Sequence, residues 1–313
     1  FRNVTGVQTC ALPIFSPDCG VQTDDEVREM MMPLMTVLNF SGGHQSSWLL
    51  WEIILGLVNK PSCFVVLRAD PGMENENTYR YCADMEARCR AAGIEVHTAA
   101  GPNLYEDLVA LPARRPSRFD NPPYWTKSKD TGKRGMLLQK CTQVYKIAAM
   151  DRFSRKLLHD KHGVSTVTKR IPAGAVEKWI GFAADEADRV AKCVSSQKYV
   201  SFRFPLAERN LTRNDIAALY KKYSVPEPPR SVCNACFANG VAAFKDMHDN
   251  RPRDWAQAVA VDNAVRDLSS IGVRDEVYVS STLVPLVELA KRNFVIEDDG
   301  DEDGSCDSGH CFI

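Results

Sequence analysis

Apolar positions along this chain alternate between two kinds of run. Thr36 to Phe40 and Cys63 to Ala69 are short, nearly unbroken apolar stretches, the pattern of strands buried on both faces. From Gln45 the apolar residues Trp48, Leu49, Trp51, Ile53, Ile54 and Leu55 recur too densely for a half-exposed strand and predict a buried helix. Asn75 to Ala92 spaces Tyr79, Cys82, Met85 and Cys89 at three or four residues and stops at Gly93, a helix with a glycine C-cap. Ile94 to Thr98 then reads as a third strand. Further along, Lys140 to Leu158 reads as a segment leading into a helix and Ala175 to Phe182 as a strand. Thr212 is the N-cap of a helix over Arg213 to Tyr223, and Trp255 to Leu268 is a last helix, with Trp255, Val259, Val261, Ala264, Val265 and Leu268 facing a core. Strand and helix in alternation predict an α/β fold, a doubly wound and mainly parallel sheet that binds ligands beyond the carboxyl ends of its strands.

Composition narrows the class. At 313 residues, 44% hydrophobic and 25% charged, with a formal net charge of -1, the chain is an ordinary globular protein with no global pull toward nucleic acid or a membrane surface. No apolar run approaches the ~20 residues of a membrane span. Eleven cysteines in odd number and irregular spacing do not form a secreted disulfide scaffold; a reducing, cytoplasmic setting is expected. Residues 1–15 lack helical or strand periodicity and the plan of a signal peptide; they resemble translated sequencing-adapter read-through, with a biological start expected as late as Met30 to Met35. The expected organisation is an N-terminal extension over 1–34, a nucleotide-binding domain over 35–230, a smaller helical region with a C-x-x-C over 231–296, and an acidic tail over 297–313.

Between the first strand and first helix lies Ser41-Gly42-Gly43-His44-Gln45-Ser46-Ser47. Strand, glycine loop and helix make a phosphate site: the backbone can approach an anion, first-turn N–H groups point at it, and the helix dipole favours its charge. The segment matches neither G-x-x-x-x-G-K-[ST] nor G-x-G-x-x-G. Asp70 ends the second strand, placed either to bond a ribose hydroxyl or to cap the next turn. From Arg114 to Lys140, Arg114, Arg115, Arg118, Lys127, Lys129, Lys133, Arg134 and Lys140 gather with prolines and with Tyr124 and Trp125. This reads as a long basic loop that closes over an anionic ligand or grips a nucleic-acid backbone. Cys233-Asn234-Ala235-Cys236 supplies half of a soft-metal site, while Cys63, Cys82, Cys89 and Cys193 sit in apolar or helical patterns as small core residues.

The loop resembles the PP-loop, S-G-G-x-D-S-[ST], of the ATP pyrophosphatase and phosphoadenylyl sulfate (PAPS) reductase superfamily, with Gln45 where most members carry Asp. The order of later features is similar to that of the adenylyl sulfate (APS) and PAPS reductases: Cys141-Thr142 leading into a helix, Trp179-Ile180-Gly181 before an acidic-Arg stretch, Pro205-Leu206, Cys233-x-x-Cys236, and a tail with Cys306 and Cys311. Lys140-Cys141 stands where cluster-bearing reductases have adjacent cysteines.

The resemblance implies an adenine nucleotide (ATP, APS or PAPS) at Ser41, Gly42, Gly43, Gln45, Ser46 and Ser47, with Asp70 toward the ribose and Lys146, Arg155 and Arg189 toward phosphate or sulfate oxygens. Magnesium is an accompanying ion whose binding the missing Asp weakens. Cys141, Cys233 and Cys236 are implied ligands of a [4Fe-4S] cluster; the competing arrangement is a closed zinc site using Cys233 and Cys236 with Cys306 and Cys311. Cys306 or Cys311 is the implied tail nucleophile, resolved by another thiol and recharged by a thiol reductant protein. Two other functions remain open: nucleotide-dependent thiolation of a nucleic acid, and nucleotide sensing by a non-catalytic protein with structural zinc.

Overall fold

A computed structural model of the chain describes residues 32–112 and 122–296. Its centre is a five-stranded sheet, β1 (Met35–Asn39), β2 (Phe64–Ala69), β3 (Glu95–Ala99), β6 (Val176–Trp179) and β7 (Val200–Arg203), in the order β3-β2-β1-β6-β7. Every pair is parallel. The order reverses between β1 and β6, and the splayed connections there open a crevice at the carboxyl edge.

The strands read as continuous apolar runs because both faces are covered. Met35, Val37, Val65 and Leu67 face α4 (Ala148–His162), while Leu38, Phe64 and Val66 face α1 (His44–Ile54) and α2 (Glu76–Ala91). Asn75 caps α2 by accepting the Thr78 N–H at 2.9 Å, and Gly93 follows the helix at φ 64°. Thr212 and Asp215 form the capping box of α7 (Arg213–Lys222), whose Ile216 and Tyr220 close the α1 side. Buried Glu52 ties α1 down by accepting both Arg209 Nη1 at 2.8 Å and Nη2 at 2.6 Å.

Three expectations change. The described part of the basic stretch is not a loop: β4 (Trp125–Lys127) and β5 (Arg134–Met136) form an antiparallel hairpin, and β8 (Glu276–Tyr278) joins β4 on its other side. Tyr124 is 0% exposed, so it cannot stack on a base; the turn residues at Gly132 and the apolar neighbours of Tyr124 were the missed strand signals. Residues 113–121, with Arg114, Arg115 and Arg118, lie outside the described residues. The helix after Lys140 opens as a π-helical turn, Thr142–Ile147, before α4. The last long helix is α9 (Pro252–Val265), begun three residues before Trp255 by a first-position proline. It packs with α3 (Leu104–Val109), α8 (Val241–Asn250) and α10 (Leu286–Lys291) around Tyr124, Phe244 and Val261.

Candidate functional site

The phosphate-loop segment sits in the crevice. Gly42 turns the chain at φ 74°, with Cys82 Sγ 2.7 Å from where a Cβ would stand, so only glycine fits. Serine hydroxyls hold the loop's shape: Ser41 N–H donates to Ser46 Oγ at 3.2 Å, Gly43 N–H to Ser41 Oγ at 3.4 Å, and Ser46 Oγ–H to the Gly43 carbonyl at 3.3 Å. Gly43 begins α1 with no side-chain cap and no acid in the first turn, which leaves the helix dipole unneutralised. Gly181, after β6, presses on the loop, its hypothetical Cβ 2.8 Å from Ser46 N.

Beside the loop is a cavity of about 330 Å³, the size of a small-molecule site. Ser41, Gly43, Gln45 and Ser46 line it, as do Lys146 and Arg189. Gly42 and fully buried Ser47 lie behind this lining and shape the turn. Asp70 is outside it: its Oδ1 accepts Tyr79 O–H at 2.7 Å and Gly72 N–H at 2.8 Å, and Arg68 stands 3.6 Å away, the engagements of a turn-forming residue. Burial, then the Asp70 hydrogen bond, push the Tyr79 phenol up. Arg155 donates to Tyr199 Oη at 3.4 Å and is not part of the lining.

Several cavity groups escaped the sequence reading. Lys178 points from β6 and is ion-paired with Asp151 of α4; nothing in the local sequence marks a lysine in this strand as buried. Glu74 binds Lys146 Nζ at 2.8 Å through Oε1, and Lys192 and the 193–197 segment form the far wall. Cys193 is not a core residue but half-buried cavity lining; burial pushes its thiol up, against the pull of Arg189 and Lys178. Cys63, at the opposite end of β2, is half-buried beside His162 at 3.4 Å, while Cys82 and Cys89 are buried as expected.

A second, smaller cavity of about 30 Å³ is lined by Cys141, Cys233 and Cys236, together with Thr142, Lys146 and Phe237. Thr142 and Lys146 line both cavities. The tertiary contacts that bring 233 and 236 here are polar. Ser231 donates to the Ser41 carbonyl at 2.7 Å, Asn75 Nδ2 to the Arg230 and Val232 carbonyls at 2.9 and 3.2 Å, and Asn234 N–H to the Met73 carbonyl at 2.8 Å. A β-bridge joins Glu74 to Cys233. Cys236 N–H closes the C-x-x-C turn on the Cys233 carbonyl at 3.1 Å, and Asn239 Nδ2 donates to the same carbonyl at 3.0 Å. Tyr124 lies close behind the three cysteines: burial drives its phenol far up, and Cys236, Cys141 and Cys233 add to that push.

No family model matches the chain, and no curated protein is similar to it. Among solved structures it is similar to the U34-tRNA thiolase NcsA from Methanococcus maripaludis with its [4Fe-4S] cluster, at 14% identity over 77% of this chain and 75% of that one, with a TM-score of 0.39. A likeness that low carries no residue's role across, so the site stands on its own geometry.

The zinc arrangement, which needs Cys306 and Cys311, falls partly outside the described residues, and of the expected cluster ligands Cys141, Cys233 and Cys236 line one cavity. Among the described residues no group of three or more His, Cys, Asp or Glu side chains is arranged to hold a metal ion. Cys306 and Cys311 lie outside the described residues. No described helix is long and apolar enough to cross a membrane.

Proposed function

We propose that this chain is an adenine-nucleotide-dependent sulfur enzyme, which holds the anionic tail of its nucleotide at Ser41 to Ser46 and presents the reactive end to cysteine thiols. The observation that carries the reading is the sharing of Thr142 and Lys146 between the loop-lined cavity and the cysteine-lined one. The loop's resemblance to the PP-loop and its place at the sheet's switch point support it.

With an adenylylated sulfate bound, a cysteine thiolate attacks the sulfur and the bond from sulfur to the bridging phosphate oxygen breaks. The nucleotide leaves with that electron pair, and the cysteine carries an S-sulfonate. A second thiol attacks the cysteine sulfur of the adduct; sulfite departs and a disulfide forms, so two thiols supply the two electrons. Cys233 and Cys236, in one hydrogen-bonded turn, have the spacing for attack and resolution. Cys306 and Cys311 are the alternative nucleophiles, and a thiol reductant protein completes the cycle. Lys146, fixed by Glu74 at 2.8 Å, holds positive charge where the two cavities meet, and Arg189 adds a fork of donors for phosphate or sulfate oxygens.

The test is incubation of the full chain with APS, PAPS or ATP and a dithiol. Sulfite and AMP from APS are expected, with Cys233→Ser and Cys236→Ser losing sulfite release while still binding nucleotide. Failure to bind any of the three nucleotides defeats the proposal. A second reading, thiolation of a nucleic acid, is favoured by the basic hairpin. Lys127, Lys129, Lys133 and Arg134 are exposed or partly exposed on or beside β4 and β5, and Trp125 Nε1 donates to the carbonyl of cavity-lining Phe237 at 3.3 Å. RNA-stimulated release of AMP from ATP would select it.

A further inference from the structure

We infer that the loop-lined cavity takes its nucleotide as the free polyanion, without a divalent cation; the inference rests on the nucleotide reading above. It begins at Gln45, the residue standing where the resembled loop has a carboxylate. Gln45 is no idle replacement. Its Nε2 donates to Glu186 Oε2 at 2.9 Å, and the Ala183 N–H donates to the same oxygen at 3.1 Å. The other oxygen, Oε1, is ion-paired with Arg189 Nη1. The carboxylate that Gln45 meets is thus buried and held at both oxygens by protein donors, one of them a cation, and the loop itself contributes an amide.

Magnesium demands near-octahedral oxygen ligands, one or two of them carboxylates. The cavity lining contains two carboxylates, Asp151 and Glu74, and four cationic side chains, Lys146, Lys178, Arg189 and Lys192. Asp151 is ion-paired with Lys178 and Glu74 with Lys146. Three acceptors in the lining are buried with no partner among the described residues, Glu74 Oε2, Asn39 Oδ1 and Gln197 Oε1. The Lys146 ammonium on the same carboxyl repels a dication from Glu74, and the three oxygens suit the hydroxyl or amino donors of a nucleoside instead.

The donors point the same way. Arg189 is 9% exposed and lines the cavity, yet its Nε and Nη2 have no partner among the described residues. Buried donors of a fixed cation call for anionic oxygens, and a magnesium ion on those oxygens would cancel the charge they answer. Arg189 is aimed by Glu186, and Glu186 is steadied by Gln45; Gln45 therefore positions the fork that replaces the metal.

The experiment is calorimetric titration of ATP and AMP into the full chain, once in EDTA and once in excess magnesium. ATP should bind in EDTA, and magnesium should leave its affinity unchanged or weaken it, by up to about tenfold where the metal competes with Arg189 for the same oxygens. Tightening of ATP by magnesium of about threefold or more overturns the inference and leaves the nucleotide reading intact. Absence of ATP and AMP binding in both buffers overturns that reading and the inference together. Gln45→Asp, which adds a loop carboxylate beside Glu186, should make ATP binding magnesium-dependent, whereas Gln45→Ala should weaken it equally in both buffers. Magnesium dependence appearing in Gln45→Ala as well would count against the assignment of Gln45.

Discussion

Gly181 offers the sharpest test of how the sheet positions the phosphate loop. A methyl group there would lie 2.8 Å from Ser46 N, 3.0 Å from Ser46 Cα and 3.1 Å from Gln45 C, all of them backbone atoms that no rotamer change can move. Carbon contacts relax at about 3.5–4.0 Å, so Gly181→Ala forces the start of α1 away by roughly half an ångström to an ångström. Overpacking of this kind costs about 1–3 kcal/mol, which for a domain of this size lowers the melting temperature by roughly 2–10 °C. The larger effect falls on the ligand. A backbone N–H set back from hydrogen-bonding distance of a phosphate oxygen forfeits about 1.5–3 kcal/mol, so losing a single such bond weakens nucleotide binding by about tenfold or more. Calorimetric affinity and thermal unfolding of Gly181→Ala measure both. Gly240→Ala is the control, since Gly240 has an ordinary φ of -75° and nothing within 4 Å of its would-be Cβ. Unchanged affinity and unchanged melting temperature in Gly181→Ala would show that the loop does not take its position from β6.

Two further outcomes are expected. Tyr124→Phe removes a buried hydroxyl that has no partner among the described residues, so it should leave stability equal or raise it, whereas an unfolding free energy lowered by more than about 1 kcal/mol would reveal a partner for that hydroxyl. The hydrogen bond from Arg203, Nη2 to Oε2 at 2.6 Å, holds Glu208 below the usual carboxylate range despite partial burial, and a depressed pKa adds stability above the unfolded value, near pH ~4.3, that is lost as pH falls through the folded one. The urea stability difference between the wild type and Arg203→Ala should therefore be small but present at neutral pH and shrink in acid; growth in acid would refute the sign.

What the sequence by itself determined is what local chemistry controls. Nearly unbroken apolar runs at Thr36 to Phe40 and Cys63 to Ala69 pointed to strands covered on both faces, and Gly93 and Thr212 marked helix ends because left-handed backbone and N-cap oxygens are local needs. Ser41-Gly42-Gly43 announced the tight turn from strand to helix for the same reason. Tertiary structure decided everything that depends on distant residues meeting. Lys178 became a buried cavity cation only because α4 supplies Asp151, and Asp70 turned from the cavity because Tyr79 and Gly72 claim its oxygen. Cys141 and the 233/236 pair share a cavity only because Asn75 Nδ2 donates to the Arg230 carbonyl and the Ser41 carbonyl accepts from Ser231, which fixes the segment before Cys233. Gln45 read as a missing charge until the fold set Glu186 and Arg189 beside it. A periodicity records which face of an element is buried; it holds no record of which partner lies across the gap, and charge pairing is set by that partner.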